Sequence, residues 1–243
     1  MDNADFEGFT GILLGDTTFS NDVLLLVALL LLSVFAVIFR FNAPLFGKMI
    51  SNISAGEQRH SIFETTEKDS FLFNSFMIFQ AMILSGVLIF LTLVEYGYFP
   101  KPGIASTLIL TGMFSVFIFI FYLFRNALYA IFGYIFIGRS AYKMMFTNHN
   151  ALFCTFGILL YIPVLWILLI GKYFFMALIV VIISYLSFRI ILVFRFIYIF
   201  LNKNTGLLFL SLYLCALEIV PLVLFYEGLI YIYNIIETNN ICQ

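Results

Sequence analysis

Long apolar runs separated by short polar breaks dominate this chain. The first run extends from Val23 to Phe39 and is closed by Arg40. The second covers about Phe71 to Tyr98. The third starts near Ile104, after Pro100-Lys101-Pro102-Gly103, and stays apolar to Phe124. The fourth, about Ala151 to Ile170, contains Pro163, and Gly171-Lys172 turns the chain into a fifth from about Tyr173 to Leu201. Asn202-Lys203-Asn204-Thr205-Gly206 makes the next turn, and Leu207 to Ile232 is the sixth run. A spanning helix needs roughly 20 mainly apolar residues. The pattern therefore predicts an all-α polytopic membrane protein with six transmembrane helices, in a membrane domain over residues 23–234 between an acidic external tail (1–22) and a C-terminal external tail (235–243).

Two stretches fit neither a span nor a simple loop. Residues 40–70 are polar and mixed in charge, enough for one or two short cytoplasmic helices before the second span. Residues 126–146 hold an apolar, aromatic core, Ala127 to Gly138, bounded by Arg125, Arg139 and Lys143 and too short to cross. The favoured reading is a short interfacial helix; an extension of the third span is the alternative. The first run is not a cleavable signal, since Asp2, Asp5, Glu7, Asp16 and Asp22 replace a basic leader.

Composition strengthens this picture. Charged residues are only 10% of the 243, hydrophobic residues are 63%, and Phe alone occupies 32 positions. A soluble domain is about a quarter charged, and a water-soluble fold of this size could not hide so much apolar surface. A soluble globular protein, a disordered chain and a nucleic-acid binder are excluded. Cys154, Cys215 and Cys242 lie far apart, giving neither a disulfide framework nor a zinc site. His60 and His149 have no second ligand at helical spacing and read as solvated or interfacial residues. No metal or cofactor is expected, and no nucleophile, base or metal set suggests catalysis.

Charge placement sets the orientation. With the N-terminus outside, the cytoplasmic side and adjoining helix ends receive Arg40, Lys48, Arg59, Lys68, Arg125, Arg139, Lys143, Arg189, Arg195 and Lys203, whereas the outside receives only Lys101 and Lys172. Cytoplasmic loops carry the basic excess, so both termini are expected outside the cytoplasm. Tyr96, Tyr98, Phe99, Tyr173, Phe174, Tyr231 and Tyr233 then form an outer aromatic belt.

Polar residues inside the spans are the candidates for function. Asn74, Ala81, Ser85, Thr92 and Glu95 follow at spacings of 7, 4, 7 and 3, which keeps them on one face of the second span, with Gln80 beside them. Small and weakly polar stripes let helices approach closely; plain packing is the first reading and a substrate-lining face the second. Arg189 lies about 18 Å from the inner end of the fifth span, and Glu218 lies at a similar depth on the sixth, across a short turn. Insertion of a charge that deep costs ~2.5–3.5 kcal/mol, so it should find a partner. Arg189 and Glu218 are therefore expected to form an intramembrane charge pair. A structural clamp is its first reading, ahead of a lipid or small-molecule site and of a proton relay. Ser211, Cys215, Glu218 and Pro221, at spacings of 4, 3 and 3, share the inward face of the sixth span.

That span reads Leu212-Tyr213-Leu214-Cys215-Ala216-Leu217-Glu218-Ile219-Val220-Pro221-Leu222. With an Arg-bearing fifth span and an Asn/Lys turn before it, the motif resembles the closing motif of a Bacteroidota family of multi-pass membrane proteins catalogued as a domain of unknown function. The resemblance implies a bacterial inner-membrane protein and supplies no activity. Taken with the absence of reaction chemistry, the sequence points first to an accessory or scaffolding subunit of a cell-envelope complex, with membrane-protein partners or copies of itself in the bilayer. A carrier or channel for a lipid or small solute is the alternative.

The topology has a direct check. Single cysteines replacing Lys48, Lys101, Lys172 and Lys203 in a cysteine-free background should label from outside at 101 and 172 only. Outside labelling at 48 or 203 would overturn the orientation.

Overall fold

The computed structural model describes residues 16–54, 67–98, 103–136, 139–202 and 219–238. All regular structure in them is helical: α1 (Asp16–Ser54), α2 (Glu67–Glu95), α3 (Ile104–Phe136), α4 (Arg139–Leu159), α5 (Tyr161–Ile170), α6 (Phe174–Asn202) and α7 (Val220–Thr238). Five windows are long and apolar enough to cross a bilayer: Asn21–Ala43, Leu72–Glu95, Ile104–Ile131, His149–Ile170 and Phe174–Phe194. They coincide with the first five apolar runs. A shorter apolar helical stretch, Val220–Asn234, falls in the sixth. The chain is an all-α integral membrane protein.

Each departure from straight helix has a local cause. Asn42 leaves the helical region at φ −120°, ψ 21° and bends α1. Pro44, two residues on, has no N–H to give the helical ladder, and the Asn42 side-chain amide donates to the Ile38 carbonyl at 3.0 Å. Helix nevertheless continues to Ser54, so the first part of the polar 40–70 stretch prolongs the first span. Pro163 acts similarly on the fourth span. It cannot donate to Leu159, so α4 ends there, and the ladder resumes across Leu160 through Val164 N–H to the Leu160 carbonyl at 3.1 Å. At the end of α2, Gly97 takes φ 78°, and the N–H groups of Gly97 and Tyr98 reach back to the Val94 and Leu93 carbonyls at 3.0 Å each. This closing loop needs a left-handed residue, which Gly supplies without Cβ strain. The 126–146 stretch forms no helix of its own among the described residues: 126–136 complete α3 and 139–146 open α4.

Helix α2 is the centre of the bundle. Of its apolar window 56% is buried, against 17% in α1 and 11% in α6. Its buried Leu84, Val87, Phe90 and Leu91 join Leu24 and Ala28 of α1, Leu110 and Phe114 of α3, and Tyr161 and Val164 of α5 in one core. Two crossings on α2 are unusually close. A Cβ built on Gly86 would stand 2.9 Å from the Ser115 backbone nitrogen of α3, and against its hydroxyl. One built on Gly157 of α4 would stand 3.0 Å from Ala81 Cα, and against the Ala81 methyl. Glycine and alanine at these points bring the backbones nearly into contact, as membrane helix pairs favour. Helix α7 lies on α3 through Phe225, whose ring stacks on Phe117 at 5.4 Å and meets Phe121 at 4.9 Å. Tyr98, just past α2, meets Tyr233 of α7 edge-on at 5.2 Å. The ends of α2 and α7 therefore lie on the same side of the bundle.

The α2–α4 crossing yields a quantitative expectation. Gly157→Ala should destabilise the protein by about 1–3 kcal/mol, the usual cost of overpacking, and adding Ala81→Gly should recover most of that loss. Thermal unfolding of the detergent-solubilised variants reads both effects; losses that simply add would contradict the contact.

Candidate functional site

A cavity of about 410 Å³ lies among α2, α3, α4, α6 and α7. Most of its wall is apolar, including Ile89, Phe121, Phe153, Phe156, Val181 and Phe225. Leu160, at the break in the fourth span, belongs to the same wall. Ile182, Leu186 and Leu222 also line it and are exposed, so they form its rim. The volume lies within the usual ~300–1,000 Å³ of a ligand pocket.

Three nitrogen-bearing side chains line the same space: Arg125, His149 and Arg189. Arg125 sits on α3 and is 8% exposed, so its guanidinium is turned into protein and does not reach up to solvent. Its Nε and Nη2 donate to the Tyr129 hydroxyl at 3.1 and 2.6 Å. Tyr129, one turn on, lies beneath it, with the guanidinium carbon 5.3 Å from the ring centre. Both contacts follow from i, i+4 spacing on one helix.

His149 opens the apolar window of the fourth span and is 3% exposed. Its ring is held between two tyrosines of α3, 4.9 Å from Tyr129 and 6.1 Å from Tyr122. The next residue, Asn150, accepts the Tyr122 hydroxyl at 2.8 Å. The His149 Nδ1 atom is buried without a hydrogen-bond partner. Such an atom costs about 1–3 kcal/mol, which a ligand atom in the cavity would offset. The expectation of a solvated or interfacial His149 is corrected in its first part: α3 aromatics enclose the ring, which lies at the end of the apolar window. His60 lies outside the described residues.

Depth follows from the helical rise. Arg125 is 21 residues from the start of α3 at Ile104, and His149 is 21 residues from the end of α5 at Ile170. At 1.5 Å per residue both lie about 31 Å from that end of the bundle, close to the ~30 Å thickness of a hydrocarbon core. Arg189, 15 residues into α6, is about 22 Å deep on the same scale. Its Nε donates to the Tyr185 hydroxyl at 2.7 Å, again an i, i+4 pair.

The residues singled out from the sequence divide into three groups. Arg189 and Ser85 line the cavity. Pro221 is buried in the first turn of α7, one residue before Leu222 of the rim. Asn74 and Gln80 do not line the cavity. Gln80 is fully buried on α2 and accepts the Tyr161 hydroxyl of α5 at 3.3 Å. The hydroxyls of Ser85 and Thr92 donate within α2, to the Ala81 and Leu88 carbonyls at 2.7 Å each. Glu218, Ser211 and Cys215 lie outside the described residues, and with them the expected pair to Arg189.

Sequence spacing assigns neither Arg125 nor His149 a functional role, although one signal for Arg125 is present. Tyr122, Arg125, Asn126 and Tyr129 fall at i, i+3, i+4 and i+7, a polar stripe on one face of α3. Among the described residues no group of three or more His, Cys, Asp or Glu side chains is arranged to hold a metal.

No curated protein and no solved structure matches this chain. One family model does match, over residues 24–229, and its description is Domain of unknown function (DUF4271). The match covers most of the sequence, and the chain belongs to that family.

Proposed function

We propose that this integral membrane protein binds a lipid within its helical bundle, as a carrier of that lipid or as a membrane protein that depends on it. The carrying observation is a largely apolar lining with a basic end at Arg125 and His149, and Arg189 nearer the middle. A path for a small polar solute would need polar groups spread along its length. Among the described residues the lining is mostly apolar, with Ser85, Tyr185 and Arg189 its polar members away from the basic end, and such a cavity matches an amphiphile instead. The broken fourth span at Leu160 beside it also suits a binding role, since discontinuous helices often border substrate sites.

The setting we favour is a bacterial inner membrane with both termini outside, as the ten-to-two distribution of basic residues suggests. The basic end of the cavity would then face the cytoplasmic leaflet. An expected Arg189–Glu218 pair is compatible with this function, because it would fix α6 against the sixth span at the cavity's edge. The accessory-subunit reading ranks second. The long apolar faces of α1 and α6, which the chain itself scarcely covers, would serve a partner's helices as readily as lipid.

Occupancy of the cavity can be measured. Protein purified in mild detergent and washed extensively should retain a single lipid molecule, seen by native mass spectrometry. Filling the cavity through Val181→Trp, or through Leu186→Trp at its rim, should abolish retention while the variant unfolds at about the wild-type temperature. Equal retention by well-folded wild-type and filled variants would contradict the reading.

A further inference from the structure

We infer that the basic end of the cavity holds the phosphate of a lipid head group, with Arg125 and His149 as its ligands and one hydrocarbon chain of the lipid in the apolar part. This rests on the lipid-binding reading above and adds the head-group chemistry.

His149 carries the first part of the argument. Its side chain lines the cavity, is almost wholly buried, and has an Nδ1 atom without a partner. Tyr122 and Tyr129 flank the ring, so it cannot swing toward water to satisfy that atom. A neutral imidazole protonated at Nδ1 presents a donor there. Arg125 lines the same space and supplies a guanidinium, the side chain best shaped for phosphate oxygens. Anion and hydrogen-bond donors are complementary, and none of the described residues lining the cavity is acidic.

Depth and volume fix the source of the phosphate. Arg125 and His149 both lie about 31 Å from the far end of their spans, which is where a ~30 Å hydrocarbon core gives way to head groups. Bilayer lipids carry their negative charge at that level, as phosphate. The apolar part of the cavity, whose whole volume is about 410 Å³, would stay empty around a free phosphate ion. A volume in the range of ligand pockets leaves room there for a hydrocarbon chain. Arg189 lines the cavity closer to its middle, and its expected pairing with Glu218 stands beside this proposal and outside it.

The test titrates the full-length protein in detergent, followed by native mass spectrometry, with four probes: oleoyl lysophosphatidate, monoolein (the same chain with an uncharged head), oleate and inorganic phosphate. Lysophosphatidate should bind at least tenfold more tightly than each of the others. Charged hydrogen bonds of ordinary strength give about that ratio. His149→Phe keeps an aromatic ring beside Tyr122 and Tyr129 and removes both ring nitrogens, the Nδ1 donor among them. It should fold as the wild type does and weaken lysophosphatidate about tenfold, leaving monoolein unchanged; Arg125→Gln should do the same. Monoolein or oleate binding as tightly as lysophosphatidate would overturn the phosphate assignment while leaving a lipid chain in the cavity. Inorganic phosphate binding equally well would overturn the lipid source. Undiminished lysophosphatidate binding by His149→Phe would remove His149 from the site. Failure of every lipid probe to bind would bring down the lipid-binding reading itself.

Discussion

Close backbone contact along α2 is the constraint on which the bundle depends. In a bilayer the hydrophobic effect does not drive helices together, so association relies on packing and on interhelical polar contacts. At Gly86 the chain has no room for a side chain against Ser115, and at Gly157 none against Ala81. These two crossings set α3 and α4 on α2. Their lower ends then bring Tyr122, Arg125 and Tyr129 opposite His149 and Asn150. Helix α6 meets this group through Tyr185 and Phe188 around Phe156, and α7 through Phe225. The cavity is the space these five helices leave between them.

The same solvent explains why the basic residues in that space matter. A buried arginine in a membrane helix carries a large desolvation cost, which a snorkelling side chain avoids by reaching the interface. Arg125 sits within reach of the interface by depth, yet its side chain is buried and laid over Tyr129. Its hydrogen bonds and ring contact with Tyr129 replace part of the hydration lost on burial. His149 adds a second polar group under the same conditions, held rigid by aromatic rings.

Much of the fold was legible from run lengths alone. The runs 23–39, 71–98 and 104–124 fall on helical windows because about 20 apolar residues in a bilayer have few alternatives to helix. Ends were less legible. Helix α1 continues to Ser54 and α3 to Phe136, since a helix satisfies its own backbone and does not need apolar residues to go on. The site was the least legible part. Arg125 just past the apolar run that ends at Phe124 suggests snorkelling by default, whereas in the structure it is buried against Tyr129. His149 has no partner at local spacing because its neighbours, Tyr122 and Tyr129, lie 20 or more residues away on another helix. Gln80 meets Tyr161 across a separation of 81 residues, beyond what any periodicity conveys.

The proposed lipid chain inside the bundle can be tested directly by photo-cross-linking. A phospholipid with a photoactivatable group in its acyl chain, incorporated with the protein into native-like bilayers and irradiated, labels the residues its chain touches, and peptide mass spectrometry maps them. Labels should concentrate on Phe156, Val181, Leu186 and Phe225 at the cavity, and Val181→Trp should remove them selectively. Labels spread evenly over outward-facing residues such as Leu26, Phe79 and Val180, unchanged by that substitution, would contradict an internal lipid site.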